Sequence, residues 1–126
     1  MIPHHQEAVD TSRLVAQSTT DERVRDLANR IISAQEQEIA MMQGWLALWY
    51  PQSTYESMYQ PMMGDLVHAT NRDEAYLRGM IAHHEAAITM AEQVLTLQPR
   101  EEVATLARNI IATQQAEIAE IEVLLE

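Results

Sequence analysis

The chain has 126 residues, one domain's worth at roughly 150 residues per domain and enough to bury a core. Eight basic against nineteen acidic side chains give a net charge of −11, which argues against nucleic acid and against a polybasic membrane patch. There is no cysteine, so disulfides, thiolate metal sites and Cys nucleophiles are excluded, and no apolar run nears the ~18 residues of a membrane span.

Three Gly and four Pro supply too few turns for many short strands, so helices are expected throughout. The first runs from the chain start to about Ser18. Thr19-Thr20-Asp21-Glu22 has the capping-box pattern, predicting a second helix opened at Thr19 and running to about Trp49. Residues 50–70, with Pro51, Pro61 and Gly64, form a connector that is long for a bundle loop and suits a crossover. Asn71-Arg72-Asp73-Glu74 opens a third helix to about Leu97. Pro99 stands where a first-turn proline is tolerated, and a fourth helix runs to the end.

These elements form a duplication. Residues 1–47 align without a gap on 80–126 at an offset of 79, with seventeen of 47 positions identical. Most identities are apolar and read as core. Five are polar: His4/His83, His5/His84, Gln35/Gln114, Glu38/Glu117 and Glu22/Glu101. The last pair falls in a first helical turn, where the helix dipole explains a carboxylate. The expectation is a single all-α domain over 1–126, a ferritin-like four-helix bundle of two repeated hairpins (1–49 and 71–126) joined by the crossover 50–70.

Steps of four and three trace the core seams. In the second helix the seam is Val24, Ala28, Ile31, Gln35, Glu38, Met42, Trp45 and Trp49; in the fourth it is Val103, Ala107, Ile110, Gln114, Glu117, Ile121 and Leu124. Both are interrupted at the same Gln and Glu rungs. In the third helix His83 and His84 occupy adjacent inward stripes, as His4 and His5 do in the first. With the first hairpin turning near 19–20, His4 and His5 lie opposite Gln35; with the second turning near 98–99, His83 and His84 lie opposite Gln114. All four polar clusters are therefore expected midway along the bundle.

Such a band inside Ile, Leu, Val and Ala is costly, at about 1–3 kcal/mol per unpaired polar group. One explanation is a hydrogen-bonded network in which His, Gln and Glu satisfy one another. The other is metal coordination, with neutral imidazoles as ligands and Glu38 and Glu117 bound to the ion or to the rings. Met80 precedes His83 and His84 by three and four residues, so thioether and imidazoles share a helix face. Imidazole with soft thioether and no thiolate favours copper, particularly Cu(I), with zinc also admissible. In the connector, Met58, Met62, Met63 and His68 form a second soft-ligand cluster, with Met41 and Met42 nearby in the chain's fold. Apolar packing explains that cluster equally well, and Trp45, Trp49, Tyr50, Tyr55 and Tyr59 are expected to pack around it.

At the doubled Met-Ile-x-His-His-x-x-Ala, carried by Met1-Ile2-Pro3-His4-His5 and Met80-Ile81-Ala82-His83-His84, the sequence resembles a bacterial domain-of-unknown-function family. That family comprises small, mostly exported ferritin-like bundles and includes cyanobacterial periplasmic copper-binding proteins of the CopM type. Residues 31–39 and 45–51 also fit it. The resemblance implies a four-helix bundle, a periplasmic or secreted location, and copper held by His and Met, with Met1 and Met90 joining His4, His5, Met80, His83 and His84. Thr11 stands where Met90 stands in the second half, so the first site is poorer in sulfur. The chain opens at the first motif, which reads as a trimmed or mature form lacking the preceding helix and signal peptide.

The leading functional reading is a copper-binding or copper-buffering protein of the cell envelope, not an enzyme, with metal ions as its partners. A metal-free interaction or homo-oligomerisation module with a satisfied His-Gln-Glu core is the alternative. A ferritin-type oxidative di-metal enzyme is disfavoured, because no Glu-x-x-His occurs and only Glu38 and Glu117 are central carboxylates.

Overall fold

A computed structural model of the chain describes residues 1–50, 66 and 69–126. Among them are four α-helices and no strand: α1 (Ile2–Ser18), α2 (Glu22–Trp49), α3 (Arg72–Thr96) and α4 (Glu101–Leu124). The chain divides into two compact units, Met1–Pro61 and Met62–Glu126. In the first, α1 packs on α2; in the second, α3 packs on α4. No described helix is long and apolar enough to cross a membrane.

The seams traced by periodicity are the buried faces. Val24, Ala28, Ile31 and Gln35 in α2 are buried, as are Ala107, Ile110, Gln114, Glu117 and Ile121 in α4. Both inward stripes of α3 are confirmed by the complete burial of Tyr76, Met80, His83, His84, Ala87 and Ala91. Ile2, Val9 and Ile39 form a core cluster in the first hairpin, with Ile32, Met42 and Leu46 against it. Further along α2, Trp45 and Trp49 stack at 5.7 Å, one turn apart.

The first turn differs from the capping box expected at Thr19. Asp21 is the N-cap of α2, its carboxylate accepting from the Arg23 backbone N–H at 2.9 Å. Thr19 is extended and instead closes α1, its N–H donating to Val15 and its hydroxyl accepting from the Asp21 N–H at 3.1 Å. Thr19 and Asp21 stand five and three residues before Val24, where the apolar seam starts, and the nearer one caps the helix. The Arg23 side chain, then its backbone N–H, hold the Asp21 carboxyl below the usual carboxylate range. Arg25 ties the turn from the other side, donating to the carbonyls of Ala16 and Thr19 and pairing with Glu22. A cation there suits the C-terminal end of α1.

The second hairpin turns differently. Asn71 caps α3 as its sequence predicts, accepting from the Glu74 N–H at 3.0 Å, while Arg72 donates to the Leu66 carbonyl at 2.9 Å. At the other end Gln98 takes a left-handed backbone (φ 52°), the position after a helix that usually falls to Gly or Asn. Pro99 follows outside the helix, and Arg100 caps α4 without a side-chain hydrogen bond. Glu101 and Glu102 in the first turn complement the helix dipole.

Candidate metal centre

Each hairpin holds one buried imidazole against one carboxylate. His5 Nε2 lies 2.7 Å from Glu38 Oε1, and His84 Nε2 lies 2.6 Å from Glu117 Oε1. Both pairs span 33 residues, and the offset of 79 maps one onto the other. The rings of His5 and His84 are wholly buried, and the carboxylates nearly so, at 15% and 10% side-chain exposure.

The contact reaches one helical turn beyond the residues that simple hairpin counting sets side by side. Counting places His5 opposite Gln35, yet its hydrogen bond goes to Glu38. Side chains on a helix lean toward its N-terminus. In an antiparallel pair, His5 leans toward the far end of α2 while Glu38 leans back toward its start, so the two meet between their backbones. The same lean brings His84 to Glu117.

Gln35 and Gln114 stand one turn from these carboxylates on the same helix face, 3% and 2% exposed. Their Oε1 atoms are buried without a hydrogen-bond partner, as is Nδ1 of both His5 and His84. So each hairpin contains the same pair of unsatisfied atoms. The glutamines do not close the network that a self-satisfied polar core requires.

The remaining candidates fall into three groups. His83 and Met80 are wholly buried on α3; His4 on α1, Met1 at its N-cap and Met90 on α3 are half-buried. Met42 packs against the Ile2, Val9 and Ile39 cluster, whereas Met41 is 45% exposed. Met58, Met62, Met63 and His68, with Tyr55 and Tyr59, lie outside the described residues. Among the described residues no three His, Asp or Glu side chains form a group able to hold a metal ion. A hard cation wanting six or more oxygens, or a ferritin-type carboxylate cluster, therefore has no counterpart there. A soft ion held by imidazole and thioether does not need one.

Periodicity missed one buried ionisable group. Glu7 is 2% exposed, although it sits two residues, about 200°, round α1 from His5 and outside the inward stripes. Its repeat counterpart is Ala86, so the duplication gave no signal either. Thr11, the counterpart of Met90, turns its hydroxyl back to the Glu7 carbonyl at 2.8 Å and offers no sulfur.

The sequence profile of the family described as "Domain of unknown function (DUF305)" matches residues 1–125. The chain belongs to the DUF305 family. Among solved structures it is similar to CopM in its Cu(I)-bound form, with 34% identity, TM-score 0.88, and coverage of 97% of this chain and 87% of that one. CopM has also been solved in Cu(II)-bound and Ag-bound forms, and these match at 34% identity and TM-score 0.87. A DUF305 protein from Streptomyces coelicolor, described as a putative secreted protein, matches at 30% identity and TM-score 0.85, over 97% of this chain and 85% of that one. An uncharacterized protein of Acanthamoeba polyphaga mimivirus is 41% identical over 54 residues, 43% of this chain. That match spans only 36% of the mimivirus protein's length. The all-α fold is thus shared with DUF305 proteins, one of which binds copper and silver.

Proposed function

We propose that this DUF305 protein binds and buffers a soft metal ion as cargo, Cu(I) foremost, through the histidines and methionines of its two hairpins. It does so in the cell envelope and without turnover. The observation that carries the reading is the pair of buried polar atoms without a hydrogen-bond partner repeated in each hairpin, His5 Nδ1 with Gln35 Oε1 and His84 Nδ1 with Gln114 Oε1. Each unmade partner costs about 1–3 kcal/mol, so a core that keeps four of them gains when a cation arrives. Met80, His83 and His84 supply sulfur and nitrogen from one buried face of α3, with Met1, His4 and His5 their counterparts at the start of α1. That donor set prefers Cu(I) to Mg or Ca and admits Zn(II) as a weaker competitor. The copper and silver bound by CopM support the choice of ion, and the Streptomyces protein's assignment supports an extracytoplasmic site of action.

One observation favours a metal-free interaction module instead: Glu38 and Glu117 already satisfy one nitrogen of each ring. Competition titration of the full chain with a Cu(I) chelator, followed by Zn(II) and Fe(II), separates the two. Tight Cu(I) binding with weaker Zn(II) and Fe(II) is expected. Equally weak binding of all three ions would replace the copper reading with the interaction module.

A further inference from the structure

Resting on that copper reading, we propose that Glu38 and Glu117 are positioning residues, not ligands: each fixes its histidine as the Nε2–H form, so that Nδ1 of His5 and of His84 is the atom offered to the ion. Three observations carry this. First, Nε2 of each ring lies 2.7 or 2.6 Å from a carboxylate oxygen, the spacing of a charge-assisted hydrogen bond. A carboxylate has no proton to give, so the ring nitrogen must donate, and a neutral imidazole then keeps its lone pair on Nδ1. Second, that Nδ1 is buried without a partner in both hairpins. Neither the neutral nor the protonated ring satisfies it, whereas a cation at the neutral ring does. Third, the two nitrogens of an imidazole point apart. An oxygen bonded at Nε2 therefore cannot reach an ion bound at Nδ1, and the carboxylate acts through the ring by orienting it and raising its basicity.

This arrangement also accounts for why the described His, Asp and Glu residues form no cluster of three. With the glutamates turned to the far side of the rings, the ion's remaining ligands are left to neighbouring His and Met side chains.

The test is nitrogen-resolved NMR of 15N-histidine-labelled full-length protein at neutral pH, first metal-free and then with Cu(I), with a chelator competition on the same sample. The metal-free protein is expected to show His5 and His84 as Nε2–H tautomers. Cu(I) is expected to shift Nδ1 of both rings while the Nε2–H protons persist. A metal-free Nδ1–H tautomer, or a Cu(I) shift at Nε2 with loss of its proton, overturns the donor assignment while leaving copper binding intact. No shift at any ring nitrogen, with no competition against the chelator, overturns the assignment and the copper reading together. A variant pair adds a second readout. Glu117→Gln keeps an oxygen that can accept from Nε2–H and is expected to stay within about tenfold of the parent affinity. Glu117→Ala removes the partner and is expected to lose about 10–100-fold. Equal losses for both substitutions would make Glu117 a ligand and overturn the proposal.

Discussion

The two hairpins agree at their polar rungs and disagree at their turns. His5–Glu38 and His84–Glu117 match in atoms, spacing and burial, and Gln35 and Gln114 match in their unsatisfied oxygens. The turns share only a first-turn glutamate, Glu22 or Glu101: Thr19, Asp21 and Arg25 fasten the first, while a left-handed Gln98 and Pro99 make the second. A turn needs only to reverse the chain, and many residue sets do that. A buried imidazole–carboxylate pair beside bare acceptors has few substitutes, because each half removed leaves the other half unpaired. The pairs are therefore repeated in both hairpins where the turns diverge.

The hairpins also differ in closure. The second buries Met80 and His83 completely and carries Met90; the first leaves Met1 and His4 half-buried and has Thr11 in place of that methionine. The largest expected effect follows from this. His83→Ala with His84→Ala should lower Cu(I) affinity by more than about 100-fold, since outer partners alone are worth about 10–100-fold. His4→Ala with His5→Ala should lower it less, both followed by chelator competition with the helical circular dichroism retained. The reverse order would break the link between closure and affinity. Next in size, Met80→Leu conserves volume and should cost under about 1.5 kcal/mol of stability. It should weaken Cu(I) binding while leaving Zn(II) unchanged, because only the softer ion uses the thioether.

The turns give smaller effects. Gln98→Gly relieves a left-handed backbone worth about 1–2 kcal/mol but frees the unfolded chain by about 0.4–1 kcal/mol, for a net gain between zero and about 1.6 kcal/mol in denaturant unfolding. No counterpart gain is expected in the first turn, which has no left-handed residue. Smallest is the pH dependence of Asp21. Its folded carboxyl is held below 3.8, so its contribution is complete above that value and is lost as pH falls through the lowered one. Asp21→Asn, which still caps, should leave the melting temperature at neutral pH nearly unchanged and slightly flatten its decline on acidification.

Comparing the hairpins also explains what was legible in the residues alone. The repeat, the helix spans and the inward stripes follow from period and offset, because burying an apolar face constrains every third or fourth position. A histidine bonded to a glutamate was among the readings the residues offered; that His5 passes over Gln35, set level with it by backbone height, to reach Glu38 depends on the lean of side chains. The choice of Asp21 over Thr19 as cap turned on competition between two oxygen side chains two residues apart that pattern cannot rank. Glu7 escaped because burial on a second face of α1 leaves no mark in the periodicity of the first.

The central claim is that copper sits on the buried imidazoles of the hairpins. X-ray absorption at the copper edge of the Cu(I)-loaded full chain tests it most directly. The expected spectrum contains the outer-shell scattering of histidine rings together with a sulfur shell. A spectrum of sulfur and oxygen alone, with no imidazole signature, would contradict the claim.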